Sequence, residues 1–176
     1  MKDKTAIYSD EICIYISICA NSPLYGKIAL LIADLLILSV LIFAIVLWIP
    51  GLLLVSAFFL FFLGKYSLWN FYGKENLIIN TKTISYQHDY GFFKPAYTVV
   101  PFNKILNLQV APAKPIENKE LLVKFSSYND DDLPIEIYTI SLSIPEEDVR
   151  RLNTLVKQLF ADKMADEYML PHIHLN

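Results

Sequence analysis

Glycine, cysteine and histidine are scarce in this sequence, and their scarcity narrows the functions that it can have. The 176 residues include five glycines, two cysteines and three histidines. So few glycines leave little material for a glycine-rich phosphate-binding loop, and no such motif occurs. No serine or cysteine lies in a nucleophile motif. We therefore expect a non-enzymatic protein without a cofactor.

An excess of basic residues is also absent. The net charge is −3, and residues 75–176 carry ten Lys or Arg against fourteen Asp or Glu. Binding to nucleic acid depends on a clustered basic surface that neutralises phosphates. The charge balance therefore argues against a nucleic-acid partner.

The two cysteines, Cys13 and Cys19, do not make a disulfide framework. They lie six residues apart in an apolar, alternating segment near the N-terminus, where thiols are normally inert. We expect reduced, buried thiols, with a single disulfide between them as the alternative.

Two groups of residues have the atoms for a metal site but lack its arrangement. His172 and His174 could share a metal with His88, but no cysteine or carboxylate accompanies the pair. Residues 129–132 read Asn-Asp-Asp-Asp, yet they lack the spaced ligands and terminal glutamate of a calcium loop. We therefore expect solvated histidines, a turn between two strands, and no bound metal.

Long apolar stretches are what the sequence has in abundance. Residues 28–64 contain one formal charge, Asp34. Because one helical crossing of a bilayer needs about 20 apolar residues, this run is long enough for two crossings. Pro50-Gly51 lies near its middle and favours a reversal of the chain. The predicted transmembrane hairpin covers residues 23–73, with helices at about 23–49 and 51–72.

The hairpin has no features of a cleavable signal peptide, because the apolar run begins too late and is too long. We expect it to remain in the membrane. Asn21-Ser22-Pro23 has the pattern of a helix start, with Ser22 as the cap and Pro23 at the first helical position.

Basic residues flank the hairpin at one end only. Lys27 precedes the first helix, Lys65 and Lys74 follow the apolar part of the second, and residues 48–51 carry no charge. The positive-inside rule then places both termini in the cytoplasm. The predicted aromatic anchors are Tyr25, Tyr66, Trp69 and Tyr72 at the inner interface and Trp48 at the outer one.

Asp34 is an isolated charge in the first predicted helix. It follows Lys27 by seven residues, which is about 10 Å along a helix and places it near the cytoplasmic edge. A charge at the bilayer centre costs about 2.5–3.5 kcal/mol on the insertion scale, and less near the edge. We predict an intramembrane charge pair with Lys65 or Lys27. The alternative is that Asp34 lines an ion pathway in an oligomer.

The N-terminal residues 1–22 form a lead-in with a strand-like pattern. Between Ile12 and Ile18, isoleucine alternates with other residue types, which is the period of a β-strand. This strand either pairs with a later sheet or lies on the bilayer as an amphipathic segment.

The segment from Glu75 onward consists of short alternating stretches separated by turns. About six strands are predicted, at spacings typical of a small barrel or sandwich. Their sequences are ENLIIN, TISYQH, FFKPAYTVV, KILNLQV, ELLVKFSSY and PIEIYTISL.

A helix is predicted at about 144–161, where it would cover the open end of the barrel. Ser143 and Glu146 have the spacing of a capping box. Together with the strands this helix makes a predicted domain of residues 74–162, followed by a tail at 163–176. The apolar stripe of the helix comprises Val149, Leu152, Leu155, Val156, Leu159 and Phe160.

Three segments resemble the bacterial pleckstrin-homology-like (PH-like) membrane proteins. They are LIINTKTISYQ, VVPFNKILNLQV and IPEEDVRRLNTLVKQLF, behind a two-helix hairpin. The resemblance covers about residues 28–160 and implies a mainly-β PH-like barrel or sandwich, with a capping helix, held in the cytoplasm close to the membrane. Eukaryotic phosphoinositide-binding relatives use a basic first loop, whereas the corresponding turn here offers only Lys82.

Three functions agree with these features. The first is an inner-membrane protein whose cytoplasmic domain binds a protein partner at the membrane surface, in a scaffold, assembly or regulatory role. The second is an immunity or exclusion protein that neutralises a toxin or a transfer apparatus. The third is a small subunit of a transport or channel assembly that uses Asp34. Homo-oligomerisation is compatible with each.

Overall fold

Two long apolar helices are followed by a mostly antiparallel β region and a C-terminal helix, in the predicted order. The computed structural model describes residues 4–112, 120–129, 131 and 133–168. The helices of this part are α1 (Leu24–Val46), α2 (Pro50–Tyr72) and α3 (Glu146–Tyr168). Its strands are β1 (Thr5–Ser9), β2 (Ile14–Cys19), β3 (Lys74–Ile79), β4 (Thr83–Asp89), β5 (Thr98–Pro101), β6 (Asn107–Pro112), β7 (Glu120–Tyr128), β8 (Pro134–Thr139) and β9 (Ile144–Pro145).

The chain divides into two compact units. We call the first the β unit; it comprises residues 1–18, 75–87 and 95–176. We call the second the helical unit; it comprises residues 19–74 and 88–94. The helical unit therefore contains both apolar helices and also the short connection that follows β4.

The strand predicted between Ile12 and Ile18 is β2, and it joins a sheet of the later domain. The five-stranded sheet has the order β1-β2-β3-β4-β5, so the alternative of a segment lying on the bilayer was wrong. Ile14, Ile16 and Ile18 are buried on one face of β2, as the alternation indicated. Ile12 lies in the preceding turn and is exposed. β1 was not predicted, because its five residues follow a polar opening and show little alternation.

Cys13 and Cys19 are free thiols, so the alternative disulfide is not formed. Both side chains are only half-buried, because they lie on the face of the strand opposite the buried isoleucines. The expectation of reduced thiols is confirmed, whereas that of full burial was wrong.

The second sheet has the order β6-β7-β8, with β9 paired to β7. The strand predicted from FFKPAYTVV is shorter than expected, since only Thr98–Pro101 is extended. The backbone before it turns sharply at Gly91, and Pro95 has no N–H for a ladder hydrogen bond. The carbonyl oxygen of Pro95 instead accepts a hydrogen bond from Gln87 Nε2 at 2.6 Å.

The α3 helix packs its predicted apolar stripe into the core of the β unit. Its N-terminus differs from the prediction, because Ile144–Pro145 forms β9 and the helix begins at Glu146. Ser143 is not a helix cap; its Oγ donates to Glu120 Oε2 at 2.5 Å. At the other end, the helix continues to Tyr168 and does not end near residue 161.

The predicted start of the first apolar helix also needs correction. Pro23 is the capping residue and makes no side-chain hydrogen bond. The Ser22 Oγ donates to Asn70 Oδ1 at 2.5 Å, so it is unavailable to the helix N-terminus. Residues 47–49 connect the helices, and Pro50 begins α2 because proline is tolerated in the first helical turn.

Candidate membrane-interface site

The α1 and α2 helices are long and apolar enough to cross a membrane. In their most apolar 18-residue windows, only 6% of α1 and 11% of α2 is buried within the protein. The core helix of a water-soluble protein would be mostly covered, whereas large uncovered apolar surfaces are sites of contact with lipid or protein. Leu54, Phe58, Phe61 and Phe62 are exposed members of this surface on α2.

The connection between the helices carries the predicted outer anchor. Trp48 lies in this connection with a positive φ of 51°. Its side chain is 89% exposed. The backbone reversal is held by the Ile49 N–H, which donates to the Ala44 carbonyl at 3.1 Å. This geometry places an uncovered indole where the hairpin reverses.

Aromatic rings gather at the C-terminal end of α2. The Trp69 ring lies 5.4 Å from both His88 and Tyr90, measured between ring centroids. The Tyr72 ring lies 5.6 Å from Phe92 in an edge-on arrangement. We call these five residues the aromatic collar. The sequence pointed to Trp69 and Tyr72 but missed the other three, for which the aromatic-rich HDYGFF stretch was the available signal.

The predicted basic residues contact aromatic rings. Lys65 Nζ lies 5.4 Å from the centroid of the Tyr90 ring. Lys27 Nζ lies 5.9 Å from the centroid of the Phe71 ring. Both distances are within the range of cation–π attraction. The other two predicted anchors, Tyr25 and Tyr66, are exposed on α1 and α2.

The predicted charge pair of Asp34 is not formed. Asp34 Oδ1 is buried and has no hydrogen-bond partner. Its two predicted partners direct their ammonium groups to aromatic rings instead, Lys65 to Tyr90 and Lys27 to Phe71. The pairing failed because helical spacing estimates depth along the axis but not the direction in which a lysine side chain turns.

The 89–94 loop forms a closed turn beside α2. Asp89 Oδ1 accepts a hydrogen bond from the Gly91 N–H at 2.8 Å, and Asp89 Oδ2 lies 3.0 Å from Lys94 Nζ. The Tyr90 N–H donates to the Phe93 carbonyl at 3.0 Å. Burial raises the pKa of Asp89, but the hydrogen bonds from Lys94 and Gly91 and the nearby lysine charges outweigh it and lower the pKa overall.

Gly91 allows this loop to approach α2 closely. Its φ is +86°, which disfavours other residues. A Cβ at this position would lie 2.7 Å from Tyr72 Cβ. The contact between the loop backbone and the end of α2 therefore depends on glycine.

The β unit has a separate polar cluster around Glu75, which is fully buried. Its carboxylate accepts hydrogen bonds from Tyr138 Oη and Ser141 Oγ, both at 2.6 Å, and from the backbone N–H groups of Ser141 and Leu142 at 3.1 Å. Burial, together with the carboxylate, raises the pKa of Tyr138. Because β3 belongs to one sheet and Ser141 follows the last long strand of the other, the cluster fastens the two sheets together.

The metal hypotheses concern residues that lie mostly outside the described part of the chain. His172, His174, Asp130 and Asp132 belong to the segments that are not described. Within the described segments, no group of three or more His, Cys, Asp or Glu side chains could hold a metal ion. His88 belongs to the aromatic collar through its contact with Trp69.

Comparison with known proteins does not assign the chain to a family. No protein-family model matches it, and no curated protein matches its sequence. The resemblance to PH-like membrane proteins therefore stays a prediction.

Proposed function

We propose that the protein is a non-enzymatic component of the bacterial inner membrane. In this proposal α1 and α2 cross the bilayer, both termini are cytoplasmic, and the β unit binds a protein partner at the membrane surface. The uncovered apolar surface of the two helices carries the proposal, because a bilayer would remove that surface from water. The β unit adopts the PH-like architecture that the three resembling segments imply.

The strand order supports an even number of crossings. β2 precedes the hairpin, β3 follows it, and the two are neighbours in one sheet. The Ala20 N–H donates to the Gly73 carbonyl at 2.8 Å, so the chain returns to its starting point. A hairpin of two crossings satisfies this requirement, whereas a single crossing would separate the two strands by the bilayer.

Charge supports the orientation. Lys27, Lys65 and Lys74 lie towards the open end of the hairpin, and residues 47–49 carry no charge. Positive charges are retained on the cytoplasmic side during insertion. The open end, with its aromatic rings, is accordingly the cytoplasmic end.

The partner-binding part of the proposal rests on the exposed edges of the β unit. The five-stranded sheet ends at β5, where Val99 is exposed. An uncovered edge strand has backbone groups that can pair with a strand of another protein. Such pairing requires no catalytic residue and no cofactor.

Purification from native membranes in a gentle detergent, with mass measurement of all co-purifying chains, tests the proposal. We expect the protein to remain in the membrane fraction after carbonate extraction. In the detergent purification we expect one stoichiometric partner. Release into the carbonate-soluble fraction would contradict the membrane assignment. A homo-oligomer without a partner would contradict the docking function and favour a self-assembled channel.

The unpartnered Asp34 favours the transport assembly as a second candidate. A carboxylate that lacks a donor within its own hairpin is suited to a pathway lined by several copies. In that case Asp34→Asn abolishes ion flux through reconstituted vesicles while the hairpin still inserts. Unchanged flux after this substitution would reject the candidate.

Asp34→Leu is expected to make membrane insertion of α1 more favourable. The change removes an unpartnered carboxylate, which costs up to about 2.5–3.5 kcal/mol at the bilayer centre and less near the edge. Insertion is measured from the glycosylation pattern of a reporter in microsomes. Ser39→Leu is the matched control, because the Ser39 hydroxyl already bonds to the Leu36 carbonyl of its own helix. An Asp34→Leu effect no larger than that of the control would contradict the expected cost.

A further inference from the structure

Two adjacent phenylalanines at the tip of the 89–94 loop are largely exposed. Phe92 is 83% exposed and Phe93 is 63% exposed. Phenylalanine has no polar atom to compensate for contact with water, unlike the tyrosines nearby. Neighbouring exposed aromatic side chains in a fixed turn indicate a surface that is covered by something else.

The loop holds these side chains outward by its own hydrogen bonds. Asp89 binds both the Gly91 N–H and the Lys94 ammonium group, and Tyr90 bonds across the turn to Phe93. Two further constraints come from Gly91, namely its positive φ and its close approach to Tyr72. The phenylalanines are therefore presented by a braced turn, and binding them costs little ordering of the backbone.

The loop adjoins the end of the second apolar helix. Phe92 contacts Tyr72, the last residue of α2, and Tyr90 contacts Trp69 one turn earlier. Lys65, also on α2, lies over the Tyr90 ring. Tryptophan, tyrosine and lysine are the residues that occupy the boundary between acyl chains and headgroups. The surface formed by the loop is thus continuous with the end of a proposed membrane span.

We propose that the 89–94 loop is a second membrane contact, in which Phe92 and Phe93 insert into the boundary between headgroups and acyl chains. The inference rests on the proposed function, since it requires α2 to lie in the bilayer. Amphipathic helices that lie at this boundary bury their apolar faces about 5–10 Å deep, and such faces often contain phenylalanine. Lys65 lies over the Tyr90 ring of this loop, and its positive charge suits the anionic headgroups of the cytoplasmic leaflet, whereas the charge of Lys94 is paired with Asp89.

A lipid occupant explains this surface better than a protein. The exposed aromatic residues are few, they adjoin the helix end, and Lys65 of that helix lies over the neighbouring Tyr90 ring, as in interfacial anchors. The loop therefore fixes the end of α2 at one depth. This contact differs from headgroup recognition by a basic first loop, for which Lys82 alone is available.

Depth-dependent fluorescence quenching tests the inference in the full chain. Cys13→Ser and Cys19→Ser provide a background without native thiols, and single cysteines then carry the same environment-sensitive label at 61, 92, 93 or 133. Phe61 is an exposed residue of α2 and reports on the span. Leu133 is an exposed apolar residue of the β unit and is the matched control for the label's own affinity for lipid. The protein is reconstituted in vesicles that contain lipids with quenchers at shallow and deep positions.

We expect labels at 92 and 93 to be quenched severalfold more strongly by the shallow lipid quencher than the label at 133. The label at 61 is expected to respond most to the deep quencher. The loop contact would be overturned if the label at 61 were quenched while the labels at 92 and 93 were quenched no more than the label at 133. That result would leave the proposed spans intact. Lack of quenching at 61 would overturn the spans, and with them this inference.

Discussion

Glu75→Ala is expected to lower the free energy of unfolding of the β unit by about 3–5 kcal/mol, since each buried donor left without an acceptor costs about 1–3 kcal/mol. The substitution leaves the Tyr138 hydroxyl and the N–H groups of Ser141 and Leu142 without their acceptor. It also removes the hydrogen bonds of this cluster that join the two sheets. We expect cooperative unfolding at a much lower denaturant concentration.

Near-ultraviolet circular dichroism during denaturant titration measures this effect. The Tyr86 and Tyr138 rings are stacked 4.2 Å apart, so their signal reports on the packing around the carboxylate. Glu75→Gln keeps one acceptor oxygen and should lie between the wild type and the alanine variant.

Glu136→Ala is the matched control. Glu136 is an exposed carboxylate that binds Lys124 and Thr139 on the surface of the β unit. Exposed ion pairs contribute little to stability, so its midpoint should match that of the wild type. Equal midpoints for the Glu75→Ala and Glu136→Ala variants would show that the buried cluster does not hold the sheets together.

Gly73→Ala is expected to disrupt the exit from α2, with a loss of about 1–3 kcal/mol or more, as for other insertions into close-packed positions. A Cβ on Gly73 would lie 2.2 Å from the Trp69 carbonyl oxygen and 2.8 Å from two carbons of its ring. The clash involves backbone, so rotating a side chain cannot relieve it. Relief requires Gly73 to move, which weakens its own hydrogen bond to Trp69 and the bond from Ala20 to its carbonyl.

The thermal midpoint in detergent micelles, followed by tryptophan fluorescence, measures this loss. Trp69 is a suitable reporter because it lies in the aromatic collar. Gly64→Ala is the matched control, since nothing lies within 4 Å of its added Cβ. Gly64 lies inside a helix, where alanine is preferred by about 0.5–1 kcal/mol, so this variant should be unchanged or slightly more stable. A Gly73→Ala midpoint equal to that of the control would contradict the clash.

Elements governed by local patterns were predictable from the sequence. The apolar run predicted both long helices to within a few residues. The length and composition that such a helix needs can be read directly from the sequence. The alternation around Ile16 and the stripe around Leu152 likewise indicated which faces are buried. In each case neighbouring residues along the chain carry the whole signal.

Features that depend on distant partners could not be predicted. Ser22 and Ser143 have good capping patterns, yet each hydroxyl binds a side chain from another element. Nothing in the local sequence indicates that Glu75 is buried, because its donors lie more than 60 residues further along the chain. Residues 92–94 were predicted to begin a strand, whereas they belong to a loop whose contacts with α2 depend on the tertiary structure.

The placement of the hairpin between two neighbouring strands has a consequence for biosynthesis. β1 and β2 leave the ribosome well before their next neighbour, β3, which begins only at Lys74. At about 5–20 residues per second, the intervening segment takes on the order of 3–10 seconds to synthesise. During that interval the isoleucine face of β2 and its open edge lack their partner and are liable to aggregate. In the proposed transmembrane arrangement, rapid insertion of the hairpin shortens this exposure, so a delay in targeting should damage β1 and β2 before it affects the helices.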